Sequence, residues 1–132
     1  MELFLKWKND FPSLEFHLVK GNHDILKDEW YEAANIILHK ILSIHPFSFI
    51  HDLNDMPQLL NPNYFFSGHI HPGIQIKGIS KQSLRFPCFY FGEQLAILPA
   101  YSRFTGLASL KTKKKDAVFA IVEESIIQIS NL

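Results

Sequence analysis

Cysteine is nearly absent from this chain of 132 residues, which contains only Cys88. A single thiol cannot build an internal disulfide framework, and this usage is typical of a reducing compartment. No apolar run approaches the roughly 18 residues that a membrane-spanning helix needs. Thirteen basic residues balance thirteen acidic ones, so no global field attracts nucleic acid or a membrane surface. The charged segment Met1–Phe11 does not resemble a signal peptide, and we expect a cytoplasmic protein without membrane contacts.

Hydrophobic and aromatic residues are plentiful, at 47% and 14% of the chain. This composition is that of a globular protein, because a disordered chain has too little apolar surface to bury. The length allows one domain at most, with a modest core. We therefore expect residues 1–132 to form a single domain.

The apolar pattern predicts few helices. Leu3, Trp7 and Phe11 are spaced by four, which predicts a helix over Met1–Phe11. Nothing resembling an N-cap precedes this helix, so the chain is expected to begin inside an element. Asp28 is predicted to cap a second, short helix over residues 29–34.

Most other segments predict strands. Leu14–Val19 alternates like a strand, and residues 36–42 and 47–51 are predicted to form a hairpin. A loop rich in Asn and Pro is expected over residues 54–63. Later strands are predicted over residues 64–66, 74–77, 84–90, 94–98, 117–122 and 126–129, with the last two paired. Mixed α/β layers fit this order better than a pure barrel.

Three polar clusters each follow a predicted strand: Gly21-Asn-His-Asp24, His51-Asp52 and Gly68-His-Ile-His71. Catalytic side chains commonly occupy loops that a rigid scaffold holds. Residues two apart in extended backbone face the same side, so His69 and His71 can converge on one site. Neutral imidazole is the commonest protein ligand of divalent transition metals, and Asn and carboxylate oxygens suit Mn or Fe.

Each cluster alone has an ordinary interpretation. Gly-Asn-His-Asp can be a simple turn, and a lone histidine is usually a surface or hydrogen-bonded residue. His17, His39 and His45 follow no site pattern and are assigned to that class. Cys88 is expected to be a small core residue and not a nucleophile, because no neighbour would lower its pKa.

Taken together, the clusters resemble the distal half of the calcineurin-like metallophosphoesterase signature. Within that superfamily the chain is most similar to the ligase-associated DNA damage response endonucleases. Three further stretches carry this similarity: Ser67-Gly-His-Ile-His-Pro72, Ser83-Leu-Arg-Phe-Pro-Cys-Phe89 and Leu98-Pro-Ala-Tyr-Ser-Arg-Phe-Thr-Gly106. The resemblance extends from about Leu14 to the end of the chain.

The resemblance implies a role for each matching residue. Asn22, His51 and His69 would bind one metal ion, and His71 would bind the other. His23 would face the scissile phosphate as a catalytic residue that assists the leaving oxygen or the developing charge. The implied cofactors are two divalent ions (Mn, Fe or Zn), and the implied chemistry is attack by a metal-activated hydroxide.

The sequence departs from the superfamily pattern at its beginning, because it contains neither an Asp-x-His nor a Gly-Asp motif. Those motifs supply the rest of the first metal site and the carboxylate that bridges the two ions. We therefore expect an N-terminally truncated domain that holds one ion at most. The expected fold is α/β, a partial four-layer α/β/β/α sandwich that lacks its first strands.

The resulting functional hypothesis is a metal-dependent phosphodiesterase that cleaves nucleic acid in DNA repair, with DNA ligase and helicase partners implied by the resemblance. Two alternatives stay open: a non-catalytic remnant that binds a metal or a partner, and a phosphatase of small nucleotides. Arg85, Arg103 and the basic stretch 111–115 are possible phosphate contacts. A solvated surface is the default for all three.

Overall fold

The computed structural model describes residues 2–57, 63–77, 83–102 and 105–129. It divides into two compact units, Met1–Lys40 and Ile41–Leu132. Arg103 lies outside the described residues, as does much of the loop predicted over residues 54–63. No helix in the described ranges has both the length and the apolar character needed to span a membrane.

The first unit contains two helices and two parallel strands: α1 (Glu2–Asn9), β1 (Phe16–Val19), α2 (Asp28–Ala33) and β2 (Ile36–His39). The N-terminal helix is confirmed, but its packing face differs from the prediction. Phe4 and Trp7 place their rings nearly perpendicular to Phe16, with centroids 6.3 and 5.7 Å away. Leu3 is 84% exposed, because positions 4, 7 and 11 form the stripe that packs.

The predicted cap of α2 is wrong. The helix already includes Asp28, and Lys27 occupies the capping position without a side-chain hydrogen bond. The Asp28 carboxylate instead accepts a hydrogen bond from the Lys20 ammonium group. This hydrogen bond raises the pKa of Lys20 above its usual value. The Asp28 carboxylate thus forms a tertiary ion pair and not a capping hydrogen bond.

The strand predicted over residues 36–42 is in fact two strands that separate at Lys40. β2 pairs with β1, whereas β3 (Ile41–Ile44) forms an antiparallel hairpin with β4 (Phe47–Ile50). The second half of the predicted hairpin is thus confirmed. The apolar pattern continues across this break and gives no sign of it. Hydrophobic periodicity does not specify which strand each segment pairs with.

The second unit contains the remaining strands: β3, β4, β5 (Tyr64–Ser67), β6 (Pro72–Lys77), β7 (Ser83–Phe91), β8 (Leu95–Ile97), β9 (Ala108–Ser109), β10 (Ala117–Val122) and β11 (Ser125–Ile129). The main sheet order is β3-β4-β5-β8-β7-β10-β11. β5 pairs in parallel with β4 on one side and with β8 on the other. The six strands predicted after residue 63 are confirmed within a few residues, including the β10–β11 hairpin.

Strand β7 changes partners along its length. Residues 83–87 pair with β6, whereas residues from Cys88 onward pair with β10 and β8. Pro87 lies at this change of partner, a position that tolerates a residue without an N–H donor. A cluster of buried residues lies beside it and contains Ile74, Cys88, Val118 and Ala120.

Cys88 is fully buried, and burial raises the pKa of its thiol to about 11. The prediction of a core cysteine is confirmed. Two helices with one large, mostly antiparallel sheet and one parallel pair make a mixed α/β protein, so the predicted fold class is also confirmed.

Candidate functional site

The candidate site lies where two neighbouring parallel strands end. β4 and β5 run side by side, with Ile50 opposite Ser67. The carboxyl ends of parallel strands meet at one edge of a sheet, so the residues that follow them are brought together. His51 follows β4, and Gly68-His69 follows β5. β8 ends at the same edge, where the Leu98 N–H donates a hydrogen bond of 2.8 Å to the Ser67 carbonyl.

Two donors hold the backbone of His51. Its carbonyl accepts hydrogen bonds from the Ser67 hydroxyl at 2.7 Å and from the His69 N–H at 3.1 Å. Ser67 is 1% exposed, so its hydroxyl is held inside the sheet. This arrangement ties the end of β4 to the end of β5.

The imidazoles of His51 and His69 face each other. His69 Nδ1 lies 2.9 Å from His51 Nε2, and the ring centroids are 4.8 Å apart. Two nitrogens bonded at right angles to one ion, each at about 2.1 Å, lie about 3 Å apart. The 2.9 Å separation is that of a hydrogen bond between the two rings, and it is also close to that of two neighbouring ligands of a transition metal.

Asp52 contacts the side of the His69 ring that points away from His51. One carboxylate oxygen lies 3.5 Å from His69 Nε2, and the other accepts a 2.9 Å hydrogen bond from the Asn54 N–H. The Asn54 hydrogen bond holds the pKa of Asp52 below its usual value, and the nearby His69 and His51 rings lower it further. A carboxylate at Nε2 favours a proton there, which leaves a lone pair on Nδ1 to face His51.

One oxygen of Asp52 thus forms a local turn bond, and the other supports an imidazole. The Asp24 carboxylate accepts a 2.7 Å hydrogen bond from the Gly21 N–H. This bond closes the turn that follows β1. Asn22 and His23 lie exposed in that turn.

The third predicted histidine, His71, lies in the connection from β5 to β6. Its backbone has a left-handed conformation, with φ of 54°, and its carbonyl accepts a 3.0 Å hydrogen bond from the Ala108 N–H. The convergence of His71 and Asn22 with the histidine pair stays a prediction.

The donor set fits a metal ion in part. His51 and His69 offer two nitrogens at a suitable separation. Over residues 2–57, 63–77, 83–102 and 105–129, however, no three His, Cys, Asp or Glu side chains are grouped so that they can hold one ion. Water would have to complete the coordination of an ion bound at this pair.

The weaker candidates lie elsewhere in the second unit. Arg85 donates a 3.1 Å hydrogen bond to the Leu107 carbonyl, which gives its guanidinium a structural partner. The basic stretch 111–115 connects β9 to β10, as predicted. Lys113, Lys114 and Lys115 border a cavity with Gln94, whose carbonyl binds the N–H of Phe65 near the start of β5. The cavity therefore lies at the edge of the sheet opposite the one that holds His69.

Ser67 is the site residue that sequence reasoning missed. Its signal was a lone hydroxyl at the end of the apolar run Tyr64-Phe-Phe66. A buried hydroxyl costs free energy unless it is hydrogen-bonded, so a serine that ends a buried strand must have a partner. Only the pairing of β4 with β5 identifies that partner as His51.

Comparisons with known proteins show a shared fold. No family model matches the sequence, and no curated protein matches it. The chain is similar to the crystal structure of Pseudomonas putida nuclease MPE, with a TM-score of 0.74 and 24% sequence identity. The match covers 97% of this chain and 60% of that one. This chain thus shares the α/β fold of about three fifths of the nuclease chain.

Proposed function

We propose that this protein is a metal-dependent phosphodiesterase that acts on nucleic acid. The observation that carries the proposal is the His51–His69 pair, with nitrogens 2.9 Å apart, at the carboxyl ends of adjacent parallel strands. That edge is where α/β proteins place their ligands. The shared fold with a nuclease supports the same reaction class by analogy.

In this proposal His51 and His69 bind the ion, and neighbouring side chains hold both residues in the orientation for binding. The Asp52 carboxylate orients the His69 ring and keeps the lone pair of Nδ1 directed at the site. Ser67 fixes the backbone of His51. A bound divalent ion would supply Lewis acidity toward the phosphoryl oxygens and a more acidic bound water.

The remaining roles follow from the family resemblance and extend the proposal. Asn22 and His71 would provide further ligands, and His23 would face the phosphate and assist the leaving oxygen. A task in DNA repair, with ligase and helicase partners, rests on that resemblance alone. Since the net charge is zero, any contact with the nucleic-acid backbone must be local.

A second candidate is a metal-binding remnant without turnover. It is favoured by the finding that, within the described residues, no third His, Cys, Asp or Glu side chain joins His51 and His69 to hold an ion. Two-metal hydrolysis uses a second ion to stabilise the attacking and leaving oxygens. With a single weak site, we expect little phosphodiesterase activity from this chain.

Two measurements on the same variants test the proposal. Mn²⁺ and Zn²⁺ binding is followed by isothermal titration, and turnover is followed with bis-p-nitrophenyl phosphate and with single-stranded DNA. The variants are His69→Ala and, as a matched control, His45→Ala, whose imidazole is bonded to Asn63. We expect the metal equivalent bound at the His51–His69 pair, and any turnover, to be lost in His69→Ala and kept in His45→Ala.

Three results are decisive. Turnover that requires His69 supports the phosphodiesterase. Binding that requires His69 without any turnover supports the remnant. Equal binding by His69→Ala and the unchanged chain, or no binding by either, removes the metal site and the proposed function with it.

A further inference from the structure

A second histidine pair lies in the first unit, outside the candidate active site. β1 and β2 run in parallel with His17 opposite Ile37 and Val19 opposite His39. Residues two apart in a strand share a face, so His17 and His39 project from the same side. His17 Nδ1 lies 2.8 Å from His39 Nε2, with ring centroids 5.0 Å apart.

The other nitrogen of His17 contacts a carboxylate. Glu15 places an oxygen 2.7 Å from His17 Nε2. An ionised carboxylate only accepts hydrogen bonds, so Nε2 carries the proton and, in the neutral ring, Nδ1 carries the lone pair. A single proton, supplied by His39 Nε2, then lies between the two rings. When His39 carries its proton on Nδ1 instead, both facing nitrogens present lone pairs to a metal ion bound beside them.

The two units therefore contain the same arrangement. In each, a carboxylate faces Nε2 of one histidine, whose Nδ1 faces Nε2 of a second histidine, and the two histidines lie on, or directly after, neighbouring parallel strands. The nitrogen separations are 2.8 Å for His17 and His39 and 2.9 Å for His69 and His51. A carboxylate behind a ligating imidazole is the usual support of protein metal sites, because it fixes the tautomer and raises the basicity of the ligand.

We propose that Glu15, His17 and His39 form a second transition-metal site, in which the two imidazoles bind the ion and Glu15 orients His17. The side chains of His17 and Glu15 are 29% and 69% exposed, so an ion has access from solvent. Water fills the remaining coordination positions. Ions that favour imidazole, such as Ni²⁺, Cu²⁺ and Zn²⁺, are preferred to Mn²⁺ and Mg²⁺.

This site does not depend on the proposed hydrolase activity. It uses residues of the first unit only, and its ligands belong to none of the three clusters that the sequence singled out. The test is titration of the full chain, free of any histidine tag, with Ni²⁺. The variants are His39→Ala, His69→Ala and the control His45→Ala.

We expect His39→Ala to bind one equivalent of Ni²⁺ fewer than the unchanged chain, and His45→Ala to match the unchanged chain. His69→Ala should keep the equivalent that His39→Ala loses. In heteronuclear NMR, Zn²⁺ should shift the imidazole nitrogens of His17 and His39 even in the His69→Ala background. Nickel binding by His39→Ala with unchanged stoichiometry and affinity, or no binding by the unchanged chain, overturns the proposal.

Glu15→Gln provides a second test that does not perturb the strand pairing, since Glu15 precedes β1 and is largely exposed. The amide cannot stabilise the Nε2 tautomer in the same way. We expect the stoichiometry to be kept and the affinity to fall about 10- to 100-fold, the usual effect of losing such a support. Unchanged affinity in Glu15→Gln would rule out the orienting role of this carboxylate.

Discussion

Replacing Ser67 by alanine tests how the candidate site is held together. The Ser67 hydroxyl donates to the His51 carbonyl at 2.7 Å, and the same carbonyl also accepts the His69 N–H at 3.1 Å. Ser67→Ala removes the first bond but leaves the carbonyl with a partner. The cost is therefore that of one lost hydrogen bond, about 1 kcal/mol, without the further 1–3 kcal/mol of an unsatisfied buried acceptor.

The measurement must report on the second unit. Both tryptophans, Trp7 and Trp30, lie in the first unit, so the unit that contains Ser67 has no tryptophan of its own. Hydrogen exchange of β4 and β5 peptides, together with circular dichroism on heating, is suitable. About 1 kcal/mol corresponds to a shift of roughly 3–6 °C in Tm. Ser109→Ala, at an exposed strand position, is the control and should change stability by less than about 0.5 kcal/mol.

Two outcomes would refute this argument. If Ser67→Ala is as stable as Ser109→Ala, the hydroxyl does not tie β4 to β5. If it costs more than about 3 kcal/mol, the His51 carbonyl has been left unsatisfied, and the His69 N–H is not its second partner. Within the proposed function, the loosened backbone of His51 should also weaken metal binding.

Three further predictions concern single side chains. Asp52→Asn should keep the turn bond to the Asn54 N–H but weaken metal binding at His69 about 10- to 100-fold, as measured by titration beside the unchanged chain; equal affinities would contradict it. Cys88 should resist alkylation at pH 8 until the chain unfolds, because burial raises its pKa to about 11; labelling in the native state as fast as in urea would contradict it. Burial, followed by the hydrogen bond to a carboxylate, raises the pKa of Tyr90 to about 12. The free energy of unfolding should therefore fall between pH about 10, the pKa of a free tyrosine, and pH 12. Tyr90→Phe should flatten this fall, and an identical alkaline denaturation curve for the variant would contradict the prediction.

The sequence predicted most strands well because their patterns are local. The β10–β11 hairpin joins two apolar runs across Glu123 and Glu124, and both the runs and the polar residues between them are evident in the sequence. Cys88 was correctly placed in the core for a similar reason, since its neighbours are apolar. Periodicity and turn chemistry are short-range signals. They predict an element correctly when residues close in sequence determine its structure.

Partner choice between distant strands could not be predicted in this way. Residues 36–42 were assigned to one strand of a hairpin, so the parallel pairing of β2 with β1 was missed. The contact of His17 with His39 was missed for the same reason, although both histidines were expected to be surface or hydrogen-bonded residues. The histidines that end β4 and β5 were recognised from their motifs, but the support by Ser67 depends on which strands are adjacent. That information lies in the tertiary packing and not in any single segment.

The position of the His51–His69 pair at the ends of parallel strands also determines when the pair forms. Hairpins such as β3–β4 and β10–β11 join neighbouring segments and need only short loops to close. β5, in contrast, pairs on one side with β4 and on the other with β8, so that Phe65 meets Leu95. Closing such long loops costs chain entropy before any contact compensates for it, and non-local pairing is slow. His51 and His69 are therefore expected to come together late in folding, after the local hairpins already exist.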